Sequence, residues 1–246
     1  MPKIAHIADV HWRGLSRHKE YTESFTAFFE KLRELSPDII YVGGDIFHSK
    51  TQGISPELID RLVWWFREMG DIAPTHVILG NHDGIMMNKD RQDAITPIIE
   101  AISHDNIFLY KKSGTYPMGI EGFNWCVFSC FDEEGWEDVK PSSGDVNIAL
   151  YHGGVWGSKT DIDWDIEGEI SVEFFKDYDF ALLGDIHKAQ FLTDDKRIAY
   201  CGSSIQQNYG ETPGKGFLFW DIKSRDNFDV KFFEIPHSCP FITVDW

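Results

Sequence analysis

The sequence predicts an α/β fold with parallel strands, arranged in one domain. Short apolar runs alternate with amphipathic helix patterns through the first part of the chain, and this alternation is typical of parallel sheets. Clusters of Asp, His and Asn follow five of the apolar runs. Neither an internal repeat nor a low-complexity linker interrupts the 246 residues, which favours a single domain.

The first part of the chain predicts strands joined by helices. The strands are expected at 3–8, 38–43, 75–79 and 147–151. Aromatic and leucine residues at three-and-four spacing predict a helix over 21–35, between the first two strands. A second helix is expected to begin with Ser55 as its N-cap and Pro56 at its first position, and to end at Gly70. A third is expected over 92–103.

The second half is richer in strands than in helices. Strands are expected at 124–130, 179–183, 197–201, 216–222 and 228–234. The last two predict a hairpin around 224–227. Alternating aspartates at 161–165 have the spacing of a calcium loop, but Ile166 and Val172 stand where an EF-hand requires glycine and glutamate. The acidic run is therefore expected to be a solvated loop.

Composition narrows the class of protein. Forty acidic residues against 23 basic ones give a net charge of −17, which at first argues against a nucleic-acid binder. No apolar run approaches the ~20 residues of a membrane span, and the N-terminus lacks the pattern of a signal peptide. The four cysteines have neither zinc-ribbon nor redox spacing and are expected to be reduced thiols. We therefore expect a cytoplasmic protein without a membrane partner.

The polar clusters at the strand ends carry the chemistry. They are Asp9–His11, Gly43–His48, Gly80–Asp83, Tyr151–Gly154 and Gly184–His187. The carboxyl ends of parallel strands form the ligand crevice of open α/β sheets, so the five clusters are expected to converge.

Together the clusters offer three carboxylates, three imidazoles and one amide oxygen as metal ligands. The seven residues are Asp9, His11, Asp45, Asn81, His152, Asp185 and His187. Seven ligands are too many for one catalytic ion but suit two ions that share a carboxylate, ~3.5–4 Å apart, as in phosphoryl displacement. Oxygen and nitrogen ligands without thiolate favour Mn²⁺, with Mg²⁺ as the alternative, over structural zinc.

These motifs resemble the calcineurin-like metallophosphoesterase superfamily. Within it, two segments are similar to the SbcD-type DNA repair and recombination nuclease subunit, a group that includes phage recombination nucleases. The segments are Gly44–His48, with Ser55–Pro56 after it, and Tyr200–Glu211, with Lys215–Phe217 after it. The fold that the resemblance implies is a four-layer α/β/β/α sandwich of two mixed sheets.

The resemblance also implies a role for each site residue. Asp9, His11, Asp45 and His187 would hold one metal ion, and Asp45, Asn81, His152 and Asp185 the other. His82 falls on the catalytic histidine, Asp83 follows it, and His48 falls on a histidine implicated in processive exonuclease action.

Two features depart from the family pattern. Asp185 stands where the family has a histidine, and this harder ligand should favour Mn²⁺ or Mg²⁺ further, or else leave the second site weaker. The chain also stops about where a DNA-contacting cap should begin. We therefore expect a nuclease domain over 1–235 and the start of a linker or cap segment over 236–246.

The expected function is that of a two-metal DNA phosphodiesterase, a 3′-5′ exonuclease with single-strand endonuclease activity, in an SbcC/SbcD-like complex. Partners implied are DNA, an SbcC-type SMC-like ATPase and a second copy, packed through the helices near 56–69 and 92–102. Trp64, Trp65, Ile95 and Ile99 are the apolar residues of that face. A small-molecule or nucleotide phosphoesterase and a scaffold with an inactive site are the alternatives.

The charge distribution removes the objection to DNA. No acidic residue occupies the four positions after any of the five polar clusters. Two divalent ions would add +4 to the −3 of three carboxylate ligands, so the site would carry about +1. Because screening acts over ~8 Å at physiological salt, this local charge matters more to a docking phosphate than the total.

Overall fold

The computed structural model describes residues 1–49, 53–89 and 91–244, and it contains two mixed sheets of six strands each. The first sheet has the order β12-β11-β1-β2-β3-β4. Its strands are β1 (Lys3–Ile7), β2 (Ile39–Val42), β3 (Thr75–Ile78), β4 (Ile107–Tyr110), β11 (Gly216–Ser224) and β12 (Asn227–Glu234). β1 to β4 run parallel, whereas β11 pairs antiparallel with both β1 and β12.

The second sheet repeats this plan with the order β5-β6-β7-β8-β10-β9. Its strands are β5 (Gly114–Pro117), β6 (Phe123–Phe128), β7 (Val146–His152), β8 (Phe180–Gly184), β9 (Gln190–Phe191) and β10 (Ile198–Tyr200). β6, β7, β8 and β10 are parallel, and β5 and β9 close the edges antiparallel.

Helices cover the outer face of the first sheet. They are α1 (His18–Leu35), α2 (Pro56–Ile72) and α3 (Thr96–Ile102). Ser55 caps α2 as predicted, because its hydroxyl accepts a 3.2 Å hydrogen bond from the Leu58 amide. Phe25 of α1 packs on Trp65 of α2, with ring centroids 5.5 Å apart. The described part of the second sheet is covered instead by two 3₁₀ helices, Glu133–Asp138 and Val172–Phe175, and by loops.

Alternating side chains divide each central strand between two cores. In β1, Ala5 and Ile7 face the helices, whereas Ile4 faces the second sheet. In β7, Leu150 faces the first sheet and Ala149 the 3₁₀ helices. Because both faces of these strands are buried, they read as continuous apolar runs in the sequence. The predicted sandwich of two mixed sheets is confirmed.

Most predicted elements are present, and the differences are local. All nine predicted strands occur within two residues of their expected bounds, and the predicted hairpin pairs Ser224 with Asn227. β4, β5 and β9 were not predicted: β5 and β9 are short edge strands, and β4 is half exposed. The third helix begins at Thr96, where the Asp93 carboxylate accepts hydrogen bonds from its amide (2.7 Å) and hydroxyl (2.7 Å).

The apolar residues expected at a dimer interface are largely used inside the monomer. Trp65 and Ile95 are both wholly buried in the core between the helices and the first sheet. Trp64 and Ile99 are partly buried against the same core. Only Trp64 and Ile99 therefore retain surface for a second copy, and the homodimer stays a prediction.

The segment after β12 lies against α1 and the loop that follows β10. Gln206 accepts a 2.8 Å hydrogen bond from the Phe241 amide and donates a 3.1 Å bond to its carbonyl. The Arg17 guanidinium lies 4.9 Å from the centre of the Phe241 ring. The division into 1–235 and 236–246 stays a prediction, and the last two residues of the second segment lie outside the described residues.

Two further expectations concern the cysteines and the membrane. Cys126, Cys130 and Cys201 are buried free thiols and Cys239 is an exposed one, as predicted. Among the helices of the described residues, none combines the length and the apolar character of a membrane span.

Candidate metal centre

The site lies where the carboxyl ends of the two sheets meet. Hydrogen bonds join the sheets there: the Asp185 amide donates to both Asp9 oxygens (3.1 and 3.2 Å), and His152 Nδ1 donates to the Gly43 carbonyl (2.7 Å). Asp9 follows β1 and Gly43 follows β2, whereas His152 ends β7 and Asp185 follows β8. The predicted convergence of the polar clusters at the strand ends is therefore present.

Asp45 lies at the middle of the site and faces histidines on both sides. Its Oδ2 atom lies 3.7 Å from His11 Nε2 and 4.0 Å from His82 Nε2. Its Oδ1 atom lies 3.2 Å from His152 Nε2 and accepts a 2.8 Å hydrogen bond from the His82 amide. A carboxylate with one oxygen directed to each half of the site has the geometry of a bridging ligand.

Four histidines share one arrangement, in which Nδ1 is bonded outward and Nε2 faces the site. The Nδ1 atoms of His11, His82 and His152 bond to the carbonyls of Phe47 (3.3 Å), His48 (2.6 Å) and Gly43 (2.7 Å), and His187 Nδ1 bonds to a Glu211 carboxylate oxygen (2.7 Å). Because these oxygens accept hydrogen bonds, each Nδ1 carries a proton, and Nε2 is the ring atom left to face a metal ion.

The inward-facing Nε2 atoms fit cations. The Nε2 atoms of His11 and His187 lie 2.9 Å apart, and His152 Nε2 is buried without a hydrogen bond among the described residues. The side chains form three groups of possible metal ligands, and within each group the donor atoms lie within 4.8 Å of one another. The groups are Asp9, His11 and His187; His11, Asp45 and His82; and Asp9, Asp45 and His152. Imidazole nitrogen and carboxylate oxygen are donor types that divalent metal ions bind, so the converging donor set fits such ions.

Electrostatics favour the same conclusion. Burial raises the pKa of Asp9 to about 7 and lowers the pKa of His11 to about 3. Burial also raises the pKa of Asp185. For Asp45, the neighbouring His152 and His11 outweigh burial and hold the carboxyl pKa below its usual range. A divalent ion beside Asp9 would stabilise the buried carboxylate that the protein alone disfavours.

The backbone is strained where the ligands stand. Asp9, His11, Asp45 and Asp185 have positive φ angles of 51°, 54°, 53° and 99°. Non-glycine residues rarely adopt this region, and such strain concentrates at functional sites. Gly80 allows the close approach, because a Cβ there would collide with Oδ1 of Asp45.

The three residues predicted as catalytic take different positions. His82 is at the rim, with its side chain 43% exposed. The half-buried His48 ring is centred 6.5 Å from that of His82 and 5.7 Å from that of His11. Asp83 lies in the interior, where its carboxylate accepts hydrogen bonds from the amides of Ile46 (2.9 Å), Phe47 (3.0 Å) and Gly80 (2.8 Å). Asp83 therefore fastens the loop after β2 to the end of β3.

The chain matches a known protein family over most of its length. A match to the calcineurin-like phosphoesterases covers residues 2–189, which include all seven predicted ligands. The chain belongs to this family. It is accordingly a member of a metallophosphoesterase family.

One relative of this phosphoesterase is a much longer viral protein. The uncharacterised protein R555 of Acanthamoeba polyphaga mimivirus is 39% identical over 246 residues, covering 93% of this chain and 18% of R555. The chain thus spans less than a fifth of the length of that relative.

Two solved structures share the fold of this phosphoesterase. A dimetal phosphatase from Danio rerio superposes with a TM-score of 0.60 at 12% identity, covering 97% of this chain and 100% of the other. GAP50, the anchor in the inner membrane complex of Plasmodium, superposes with a TM-score of 0.57 at 13% identity, covering 95% of this chain and 84% of GAP50. At such identities the likeness shows the fold alone, because one fold supports several functions.

The calcineurin-like site has a buried supporting network that the sequence did not predict. Lys215 Nζ donates to the Asp161 carboxylate (2.8 and 3.0 Å) and to the His187 carbonyl (2.8 Å), and it lies 3.4 Å from Glu211. The Lys215, Asp161 and Glu211 side chains are 3%, 5% and 4% exposed. The expectation of a solvated loop is therefore wrong for Asp161, because Lys215 holds its carboxylate in the interior.

Of the remaining predicted ligands, Asp185 is well placed and Asn81 lies beside the cluster. Asp185 Oδ1 lies 3.7 Å from His152 Nε2, and its side chain is 26% exposed. Asn81 is half-buried in the turn between Gly80 and His82. The assignment of each ligand to an individual metal ion stays a prediction.

Proposed function

We propose that this phosphoesterase is a two-metal DNA phosphodiesterase, a 3′-5′ exonuclease with single-strand endonuclease activity. It would act in cytoplasmic DNA repair or recombination as the nuclease subunit of an SbcC/SbcD-like complex. The position of His48 carries the proposal, since the resemblance to SbcD-type nucleases implies a histidine there with a part in processive digestion. Its ring lies within 5.7 Å of the His11 ring, at the mouth of the metal centre.

Asp45, His82 and Asp83 would each have a different role in the hydrolysis of a phosphodiester. Bound divalent ions, Mn²⁺ above all, would provide an activated water and positive charge for phosphodiester hydrolysis. Asp45 reaches both halves of the ligand set, so it would bridge the two ions. His82 is half exposed beside Asp45, where its protonated form can donate to a phosphate oxygen or to the leaving oxygen. Asp83 acts from the interior by holding the loop of Asp45 in place.

The second segment similar to SbcD-type nucleases also supports the proposal. Within Tyr200–Glu211, Glu211 holds His187, and the buried Ser203 and Gln207 bond to the same glutamate (3.2 and 2.9 Å). The segment is therefore built into the support of the metal centre instead of lying on a remote surface. A phosphoesterase that lacked such a segment would need another partner for His187.

A digestion assay tests the substrate class. The Mn²⁺-loaded protein is incubated with open linear duplex, end-blocked duplex, single-stranded DNA and a small phosphodiester. We expect mononucleotide release from open duplex and slow cleavage of single strands, and faster hydrolysis of the small phosphodiester than of any DNA would support a small-molecule phosphoesterase instead. Absence of DNA cleavage by protein that carries metal would refute the proposal.

Two variants connect the activity with the site. His82→Ala should retain bound metal yet lose activity by roughly 10²–10⁴-fold, the usual contribution of one acid–base group. Asp45→Asn should lose metal and activity together. Asp229→Asn is the control, since this exposed carboxylate on β12 pairs only with Lys231 among the described residues. Full activity of His82→Ala would remove His82 from the mechanism.

The proposed partners are an SbcC-type ATPase and a second copy of the chain. Sedimentation at several concentrations would test the dimer, and a mass of one chain throughout would refute it. Trp64→Ala should weaken a dimer that uses the α2–α3 face, because Trp64 keeps part of its surface there.

A further inference from the structure

A cavity of about 390 Å³ opens directly beside the metal centre. Asp185 and His187 line both the cavity and the candidate metal centre. The opposite wall is formed by Ile162 and Trp164, whose residues are 67% and 71% exposed. The volume lies within the range of ~300–1,000 Å³ typical of small-ligand sites.

The wall that carries Trp164 is an ordered turn. The Thr160 amide donates to the Trp164 carbonyl (3.0 Å), and the Trp164 amide donates to the Thr160 hydroxyl (3.2 Å). The Asp163 amide closes the turn with a 3.0 Å bond to the Thr160 carbonyl. The turn therefore presents a large aromatic face to solvent from a hydrogen-bonded backbone, although exposure of such a face is unfavourable.

Two of the three carboxylates that line the cavity are occupied by neighbouring groups. Asp161 and Glu211 line it, but Lys215 bonds to the first and lies 3.4 Å from the second. Glu211 is further occupied by His187 (2.7 Å) and by the Asn208 amide (3.0 Å). The cavity thus combines an apolar aromatic wall with two hydrogen-bonded carboxylates, and its third carboxylate, Asp185, belongs to the adjoining centre suited to phosphate.

From this combination we infer that the cavity binds the purine or pyrimidine base of the nucleotide whose phosphate is held at the metal centre, with Trp164 as the stacking surface. The inference rests on the proposed function and deepens it, because it states how a nucleotide would be distinguished from other phosphate esters. Stacking on an aromatic side chain is tolerant of sequence, since every base has a π-face. Such a pocket suits an enzyme that acts on DNA of any sequence.

A binding experiment separates the base from the phosphate. Thymidine 5′-monophosphate and 2-deoxyribose 5-phosphate share the phosphate and the sugar, and only the first has a base. Titration calorimetry with the metal-loaded protein should give roughly tenfold tighter binding of the nucleotide, as expected for one stacked base. Trp164→Ala should reduce this preference to about twofold or less, and Trp164→Phe should retain most of it.

Trp156→Ala provides the matched control. Trp156 is a similarly exposed tryptophan (62%), but it lines a separate cavity with Phe191 and Gln190. The Trp156→Ala protein should keep the full preference for the nucleotide. Equal affinity of the wild-type protein for both ligands would overturn the inference, as would a preference that survives in Trp164→Ala.

DNA digestion by the same preparations distinguishes the inference from the function on which it rests. If the wild-type protein digests DNA but shows no preference for the base, the cavity assignment is wrong and the nuclease proposal stands. If the preference is present without DNA digestion, the nuclease proposal is wrong, and the cavity serves a free nucleotide as substrate.

Discussion

The Nε2 atoms of His11 and His187 lie 2.9 Å apart, although each ring donates from its Nδ1 atom to an oxygen on the opposite side. The hydrogen bond to Glu211 and the nearby Asp9 outweigh burial and raise the pKa of His187, so without a metal ion its Nε2 proton bonds to His11 Nε2. A divalent ion would take the place of this proton and bind both nitrogen atoms. The two residues are 176 positions apart in sequence, and they follow strands of different sheets, β1 and β8. The contact therefore unites the two halves of the fold at the metal centre.

Removing one of these imidazoles should remove one metal ion. We expect His187→Ala, loaded with Mn²⁺ and desalted, to retain one ion per chain, against two for the wild-type protein. Elemental analysis by mass spectrometry measures this directly. His104→Ala is the control, because His104 lies outside the three donor groups and bonds to Asp71 (3.1 Å). Two ions in His187→Ala would contradict its assignment as a ligand.

Glu211 should control metal affinity without touching the ion. Its carboxylate bonds to His187 Nδ1 and thereby fixes the orientation and basicity of the ring. Glu211→Gln should weaken the affinity for Mn²⁺ by about 10–100-fold, the usual effect of altering such a partner. Competition with a fluorescent chelator gives the value. Glu173→Gln, at an exposed residue paired with Lys176, should match the wild-type protein.

The convergence of the polar clusters could be predicted because its signal in the sequence is local. Asp9, Asp45 and Asp185 each follow an apolar strand, and parallel strands place their carboxyl ends together. The support of the site was not predicted, because it joins residues far apart: Asp161 and Lys215 are 54 positions apart, and only the folded chain brings them into contact. For Asp83, the motif gave its presence at the site but could not show that its side chain points inward.

Buried His76 should make the stability of the fold depend on pH. Burial lowers its pKa to about 4 from the model-compound value of 6.5. The unfolded chain therefore binds more protons between these values, so stability is complete above about pH 6.5 and falls as the pH decreases towards 4. The largest loss from this residue is about 3 kcal/mol, at ~1.4 kcal/mol for each pH unit.

Urea unfolding at pH 7.5 and 5 measures this contribution. His76 Nδ1 accepts from Trp125 Nε1 (3.1 Å) and lies 2.8 Å from the Tyr110 hydroxyl, so a neutral acceptor is needed there. His76→Gln keeps an acceptor that does not titrate in this range. It should lose less stability than the wild-type protein between the two pH values, whereas His104→Gln should behave like the wild type. An unchanged pH dependence in His76→Gln would exclude the buried ring as its source.

Asp185 should determine which metal ion the centre prefers. It stands where the family pattern has a histidine, and its Oδ1 atom lies 3.7 Å from His152 Nε2. Carboxylate oxygen favours Mn²⁺ and Mg²⁺, whereas imidazole favours Zn²⁺, so Asp185→His should raise the affinity for Zn²⁺ relative to Mn²⁺. Competitive metal loading followed by elemental analysis gives this ratio for both proteins. Asp163→His is the control, because Asp163 also has a positive φ angle (59°) but an exposed side chain that pairs with Lys188. If the ratio is the same in Asp185→His and the wild-type protein, Asp185 does not contact the metal, and its contribution is the hydrogen bond that its backbone amide donates to Asp9.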